Sequence, residues 1–388
     1  MSTGYDGVAV AVPVSWGYTK RSHHGAAYFL AGALRELLAR SGLDKAAVDG
    51  LAVSSFTLAP DTAVGFTQYA GVSPRWLEHI PTGGACGVVA LRRAARAVQC
   101  GDADVVACLA GDTANFGSFR GLMQNFSSMS RDFVYPHGAG GPNASFALIA
   151  EHYMRAYGAG REDFGRIAVS QRANAGPVPH ALLRRPMSLD DYLAARPVAE
   201  PIHLLDCVMP CAGAEAFLVM STERARALGL PHARVLGAIE RHNAFPDDPV
   251  QYRGGWLYDR DALYDQAGIG PADMDFLQTY DDYPVISMMQ IEDLGFCAKG
   301  EGPAFVRAHD LTVGGDFPHN TCGGQLSVGQ AGAAGGYIGL VEALRQLTGQ
   351  AAGTPVEAAR HGLVSGFGMI NYDRGLCTAA AVLGEGGP

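Results

Sequence analysis

The chain repeats itself, and this constrains its fold more than any other feature of its 388 residues. Residues 29–55 read as an amphipathic helix within YFLAGALRELLARSG, a glycine turn leading through LDKAAVDG, and an apolar strand, LAVSSF. Residues 262–282, ALYDQAGIGPADMDFLQTYDD, carry the same pattern: laying Gly42 on Gly268 brings Ala46 onto Ala272, Asp49 onto Asp275 and Leu51 onto Leu277. A second echo pairs VVACLAG at 105–111 with GLVSGFG at 362–368, each a short apolar strand ending in glycine and each preceded by an amphipathic helix, 87–99 and 336–348. Two copies of one α/β unit are therefore expected, packed as layered α/β halves.

The copies differ in one place. In the second, the strand 362–368 leads after eight residues to a last strand, CTAAAVLG; in the first, the matching strand AEAFLVMS at 214–221 comes only after a long stretch. That stretch holds a helix, NASFALIAEHYMRAYG, and a loop rich in Pro and Arg, which suits a cap over a site better than a core. The expected division is a first half of 1–112 with 213–234, an inserted cap of 113–212, and a second half of 235–388.

Composition excludes several roles. The formal charge of -9, from 29 Lys plus Arg against 38 Asp plus Glu, argues against a protein that binds nucleic acid by neutralising phosphates. No apolar run approaches the roughly 20 residues of a membrane helix, and no basic segment opens onto an apolar signal core, so a cytoplasmic protein is expected. Eight cysteines without dense spacing point to reduced thiols. Cys207 and Cys211 lack a second ligand pair at zinc spacing, so no metal is expected. Neither GxxxxGK[ST] nor a strand-borne GxGxxG occurs, which removes support for nucleotide and nicotinamide chemistry.

Cys86 stands in PTGGACGVVALRRAARAVQCG. Val88, Leu91, Ala95 and Val98 share one helical face after it, and Arg92, Arg93, Arg96 and Gln99 another, which puts Cys86 in the first turn. There the helix dipole favours a thiolate, and Gly83, Gly84 and Gly87 leave room for an acyl group. Position alone leaves two readings open, a nucleophile or a small buried core cysteine.

Four blocks in order carry a family resemblance: the GGACG loop, YDDYPVISMMQIEDLGFCAKGEG, NTCGGQLSVGQ and GFGMINYDRG. Over nearly its whole length the chain resembles the thiolase superfamily, in its sterol-carrier-protein-type and lipid-transfer-type branches. The resemblance implies a duplicated, dimeric α/β fold whose helix-start cysteine takes an acyl group from coenzyme A while a C–C bond next to a thioester carbonyl is made or broken. It implies no permanently bound cofactor, with the coenzyme A thioester as substrate. Cys86 matches the acylated nucleophile, and Gly366 and Gly368 match the region that supplies backbone N–H groups to an oxyanion hole.

Other positions depart from the family pattern. Where the family has Gly-His-Pro, this chain has Gly329, Gln330 and Ala331, and a Gln donates a hydrogen bond but takes no proton. Tyr280, Asp281, Asp282 and Tyr283 stand at a block where the sterol-carrier branch has another His, and the second catalytic Cys is replaced, with Asp282 or Ser365 at candidate positions. Tyr280 is the first choice for acid/base work, and only one of Asp281 and Asp282 can face the pocket if the strand continues. His319 and His137 are alternatives, with His23 and His24 behind them. Arg184 and Arg185 in the cap loop are candidates for the coenzyme A phosphates.

The leading expectation is an acyltransferase of thiolytic or Claisen type working through Cys86, with Gln330, Tyr280 and Gly368 around it. Two alternatives stand beside it: a retro-aldol lyase using tyrosines, and a non-catalytic subunit that binds acyl-CoA. The resemblance also implies a homodimer and a small zinc-ribbon, OB-fold partner. That partner is expected as a separate protein, because the chain ends at GEGGP soon after its last strand.

Overall fold

Two aspartates fix the repeat in space. The Asp49 carboxylate accepts the N–H groups of Asp104 (2.9 Å) and Val105 (2.8 Å), while Asp275 accepts those of Arg360 (2.7 Å) and His361 (2.8 Å). Each thereby pins the start of the long buried strand of its own copy. The helices before them, Ala26–Ser41 and Trp256–Ala267, both end on a left-handed glycine, Gly42 and Gly268, each with φ 69. Only glycine adopts that conformation without strain. These anchors equate Val105 with His361, which moves the strand alignment read from sequence by one residue and makes Asp112 the counterpart of Gly368.

The structure is a computed structural model and describes residues 4–114, 121, 127–139 and 141–386. Its strands are β1 (Val8–Thr19), β2 (Gly50–Ser54), β3 (Trp76–His79), β4 (Val105–Asp112), β5 (Pro197–Ala199), β6 (Ile202–His203), β7 (Ala212–Ser221), β8 (His232–His242), β9 (Phe276–Gln278), β10 (His361–Asn371) and β11 (Arg374–Glu385). Nine of them form one sheet in the order β3-β2-β4-β7-β1-β8-β11-β10-β9. The order β2-β4-β7-β1 is mirrored by β9-β10-β11-β8, with the same sequence of parallel and antiparallel pairings and a short antiparallel seam between β1 and β8. The duplicated α/β architecture is thus present.

Helices Cys86–Cys100 and Gly335–Leu347 lie together at the centre. The first touches both β2 and β10, which are six strands apart in the sheet. At about 4.8 Å per strand that separation is roughly 29 Å in a flat sheet, nearly three helix diameters. The sheet must therefore fold over the helix pair, so that its halves sandwich them. Ala26–Ser41 covers one outer face, against β1, β4 and β7; Trp256–Ala267 covers the other, against β8 and β11. The central helices meet through glycine: a Cβ on Gly336 would stand 2.9 Å from Cys86 Sγ, and one on Gly87 would collide with Gly336 O.

Between β4 and β7 lies a long segment, which we call the cap, with helices Ser128–Phe133, Gly141–Tyr157, Arg161–Asn174 and Leu189–Leu193 and the small β5-β6 ribbon. Two polar pairs tie it to the second half: Tyr153 donates to Glu292, and the partly exposed Arg307 grips Asp163 through two 2.7 Å bonds. Within it, Tyr192 donates to Asp206. No helix among the described residues is long and apolar enough to cross a membrane.

Candidate functional site

A cleft of about 620 Å³ opens where the loops of both halves meet the cap. The first half gives Phe56, Gly83, Gly84 and Asp112, the second gives Tyr280, Asp282, Gln330 and Gly368, and the cap gives Asn143, Phe146, Arg196 and Val208. Most of the lining is apolar. Three of its polar groups, Tyr280, Asp282 and Gln330, gather where the turn after β9 faces the Gln330 loop.

That turn sorts its two acids. Asp281 is buried and points back, accepting the N–H groups of Gln325 (2.9 Å) and Leu326 (3.1 Å) and so capping the short helix Gly324–Val328. Burial raises its carboxyl to about 6, against those bonds. Asp282 faces the cleft, although β9 ends at Gln278 and the strand alternation expected from sequence does not reach it. Its Oδ1 accepts Gln330 Nε2 at 2.6 Å. Loss of water raises its carboxyl to about 7, with the Tyr280 hydroxyl bond opposing and the Asp281 charge adding. Tyr280 is pinned at its backbone, its N–H donating to Gln290 Oε1 (3.1 Å) and its carbonyl accepting from Gln290 Nε2 (2.7 Å). Its hydroxyl lies 3.3 Å from Gln330 Nε2. Burial, then the Asp282 charge, raise the phenol well above its ordinary value, so it keeps its proton.

The Gln330 loop is positioned from both sides. Gln330 N–H donates to Met209 O (2.9 Å) and its carbonyl accepts Cys211 N–H (3.0 Å), which ties it to the cap. Three residues on, Ala333 N–H donates to the Asp112 carboxylate at 2.7 Å. Asp112 also accepts from Ser55 Oγ (2.7 Å), Phe56 N–H (2.9 Å), Thr57 N–H (2.6 Å) and Thr57 Oγ1 (2.6 Å). Sequence reading missed Asp112. Its signal was present, a lone acid ending an apolar strand in VVACLAGD.

Cys86 begins its helix, as expected, but it is fully buried and is not part of the cleft wall. Its thiol donates to Ala333 O at 3.2 Å. Burial pushes it up to about 12, with a Ser54 hydrogen bond opposing and the Asp112 charge adding. A helix start offers a charge at most about 2 kcal/mol. Desolvation of a buried thiolate costs more, so the expected thiolate is not the form held at neutral pH.

The remaining candidates fall into place around this centre. Gly368 lines the cleft, and a Cβ there would collide with Thr82 O. A Cβ on Gly366 would come within 2.7 Å of Ala85 Cα. His319 is buried, with Nε2 2.7 Å from Thr279 Oγ1, and burial lowers it to about 3, so it is neutral. His137, His23 and His24 are exposed and do not line the cleft. Ser365 is buried and donates to Gln290 at 2.6 Å. Arg184 and Arg185 are exposed and away from the cleft wall, with Arg184 Nε donating to Gly176 O. The cation among the described lining residues is Arg196 instead, from the stretch between helix Leu189–Leu193 and β5. Among the described residues no group of three His, Cys, Asp or Glu could hold a metal ion.

Residues 260–381 match the family model described as Thiolase C-terminal domain-like. The chain is similar to a steroid side-chain-cleaving aldolase of Thermomonospora curvata, 32% identical over 370 residues, covering 91% of this chain and 93% of the relative. It is 33% identical over 369 residues to a 17-hydroxy-3-oxo-4-pregnene-20-carboxyl-CoA lyase of Mycobacterium tuberculosis, covering 90% of this chain and 93% of the relative. Among solved structures, the Ltp2-ChsH2(DUF35) aldolase superposes with a TM-score of 0.81 at 29% identity over 98% of each chain. These relatives are named as aldolases and a lyase. They overturn the expectation of an acyltransferase working through an acyl-enzyme on Cys86.

Proposed function

We propose a reaction from one premise: the chain belongs to the thiolase superfamily, in its lipid-transfer type. It is a carbon–carbon lyase that cleaves a β-hydroxyacyl-CoA thioester by a retro-aldol route. The observation that carries this reading is the Tyr280–Asp282–Gln330 cluster on the cleft wall, with Asp282 poised near 7.

An acid with that value takes a proton and gives it back at neutral pH. Asp282 removes the proton of the β-hydroxyl. The bond between the hydroxyl-bearing carbon and the α-carbon breaks, leaving a carbonyl compound and the enolate of the shortened thioester. Tyr280, held protonated by burial, gives its proton to the α-carbon and regains one from Asp282. The hydroxyl proton thus ends on the α-carbon, and no acyl-enzyme forms. Gln330 moves no proton. Its amide holds Asp282 at 2.6 Å and reaches the Tyr280 hydroxyl, which fixes the relay.

The cleft's volume of about 620 Å³ and its apolar lining support a bulky, ring-bearing carbonyl half, in line with the steroid named for the relatives. Arg196, exposed at this wall, is suited to a coenzyme A phosphate. A partner protein is supported by the structural neighbour, whose name joins Ltp2 with ChsH2(DUF35). The homodimer rests on family resemblance, and light scattering of the purified chain tests it. The reaction is tested with a CoA thioester bearing a tertiary β-hydroxyl on a fused-ring body, incubated without free coenzyme A. Ketone and shortened acyl-CoA should appear in equal amounts; cleavage only when free coenzyme A is added would overturn the lyase.

A further inference from the structure

The retro-aldol route leaves a nucleophile unused directly beneath the cleft. Cys86 has a helix start and a thiol, with Gly84 two residues before it and Gly87 directly after, yet the reaction proposed above bypasses it. We infer that the Tyr280 ring is the stopper that keeps CoA thioesters off Cys86, and that this one side chain decides which reaction the cleft runs.

Three observations place the stopper. Gly83, Gly84 and Tyr280 line the cleft, and Cys86 does not. The Tyr280 ring lies so close on Gly84, two residues before Cys86, that a Cβ on Gly84 would collide with it. The phenol is also near enough to Cys86 for a charge on that sulfur to act on it. From the other side the thiol is closed in by Ala333 O at 3.2 Å and by Gly336, whose added Cβ would stand 2.9 Å from Sγ. The ring has no freedom to swing aside. Gln290 holds its backbone in both directions, and Gln330 and Asp282 hold its hydroxyl.

Removing the ring would open a space larger than the roughly 10–15 Å³ one water needs, connected to the cleft. Water and a thioester could then reach Sγ. In that variant the Sγ–acyl bond forms, the bond from the acyl carbonyl to the coenzyme A sulfur breaks, and coenzyme A leaves as the thiol. The proton it carries is the one lost by Cys86. Loss of the hydroxyl alone has no such effect, because the ring remains.

The test is intact-protein mass spectrometry with peptide mapping after incubation with acetyl-CoA and propionyl-CoA. It reads an adduct and not cleavage, so its outcome is independent of the lyase reading. Tyr280→Gly should gain an acyl group mapped to Cys86. Wild type, Tyr280→Phe and the double variant Tyr280→Gly/Cys86→Ala should gain none there. Acylation of wild type, or a folded Tyr280→Gly chain that stays unmodified, would overturn the inference. Should that variant lose its thermal transition, iodoacetamide labelling of the wild type carries the test. Cys86 should react at least about 10²-fold more slowly than the exposed Cys100, and equal rates would overturn the inference.

Discussion

The twin strands β4 and β10 differ at the point where β4 ends. At the same register one carries Asp112 and the other Gly368, and each faces the loop before the other half's central helix. Asp112 gathers five donors, four from its own half and Ala333 N–H from the other, and so locks the two halves together. Gly368 contributes only bare backbone against Thr82 and Gly84, so that although both positions line the cleft, only the Asp112 side is clamped. The turns beside these ends diverge in step. After β2 the chain reads Ser55-Phe56-Thr57, all three bound by the clamp; after β9 comes Tyr280-Asp281-Asp282, with Asp281 capping a helix and Asp282 facing the cleft. The duplication kept its scaffold in both copies, and in the reaction proposed above one half does the holding and the other the proton transfer.

Substitutions on each side should therefore break different properties. The largest effect is expected in the reactive turn: Asp282→Asn should lower kcat/KM by roughly 10³-fold, within the range of a lost general base, with the thermal transition nearly unchanged. On the clamp side, Asp112→Ala strands buried donors and should cost about 3 kcal/mol of stability, read as a lower denaturant midpoint, with turnover falling as the Gln330 loop loosens. An Asp112→Ala chain as stable as wild type would contradict the clamp. Gln330→Ala should lower kcat/KM by about 10-fold, the effect of one lost positioning hydrogen bond to a charged group. Cys86→Ala should leave cleavage within about 2-fold, since it deletes only a small buried group and no reacting atom; a loss comparable to that of Asp282→Asn would restore the cysteine to the chemistry.

Much of the scaffold was legible because it is written locally. The glycine turns at Gly42 and Gly268, the aspartates 49 and 275 and the apolar strands all carry their signal within a few residues. The strand alignment slipped by one because its marker, the pair of N–H groups that Asp49 and Asp275 bind, lies far along the chain. The site was half legible. Tyr280, Asp282 and Gln330 were named from departures at known positions, and the structure brings them together. The thiolate at Cys86 failed because a helix start is a local property, whereas its burial against Ala333 and Gly336 is made by residues roughly 250 positions away. Arg196 and Asp112 were passed over for the same reason: what marks each is the wall or loop it meets in space.

The claim that Asp282 is the base of a retro-aldol reaction is tested most directly by the pH dependence of kcat/KM, in wild type and in Asp282→Asn. The carboxylate is the working form, and burial raises its carboxyl to about 7. Wild-type kcat/KM should therefore climb about tenfold per pH unit below that value and level off above it, while the slower Asn variant shows no such climb. The same inflection near 7 in Asp282→Asn would contradict the assignment and move the base to another group.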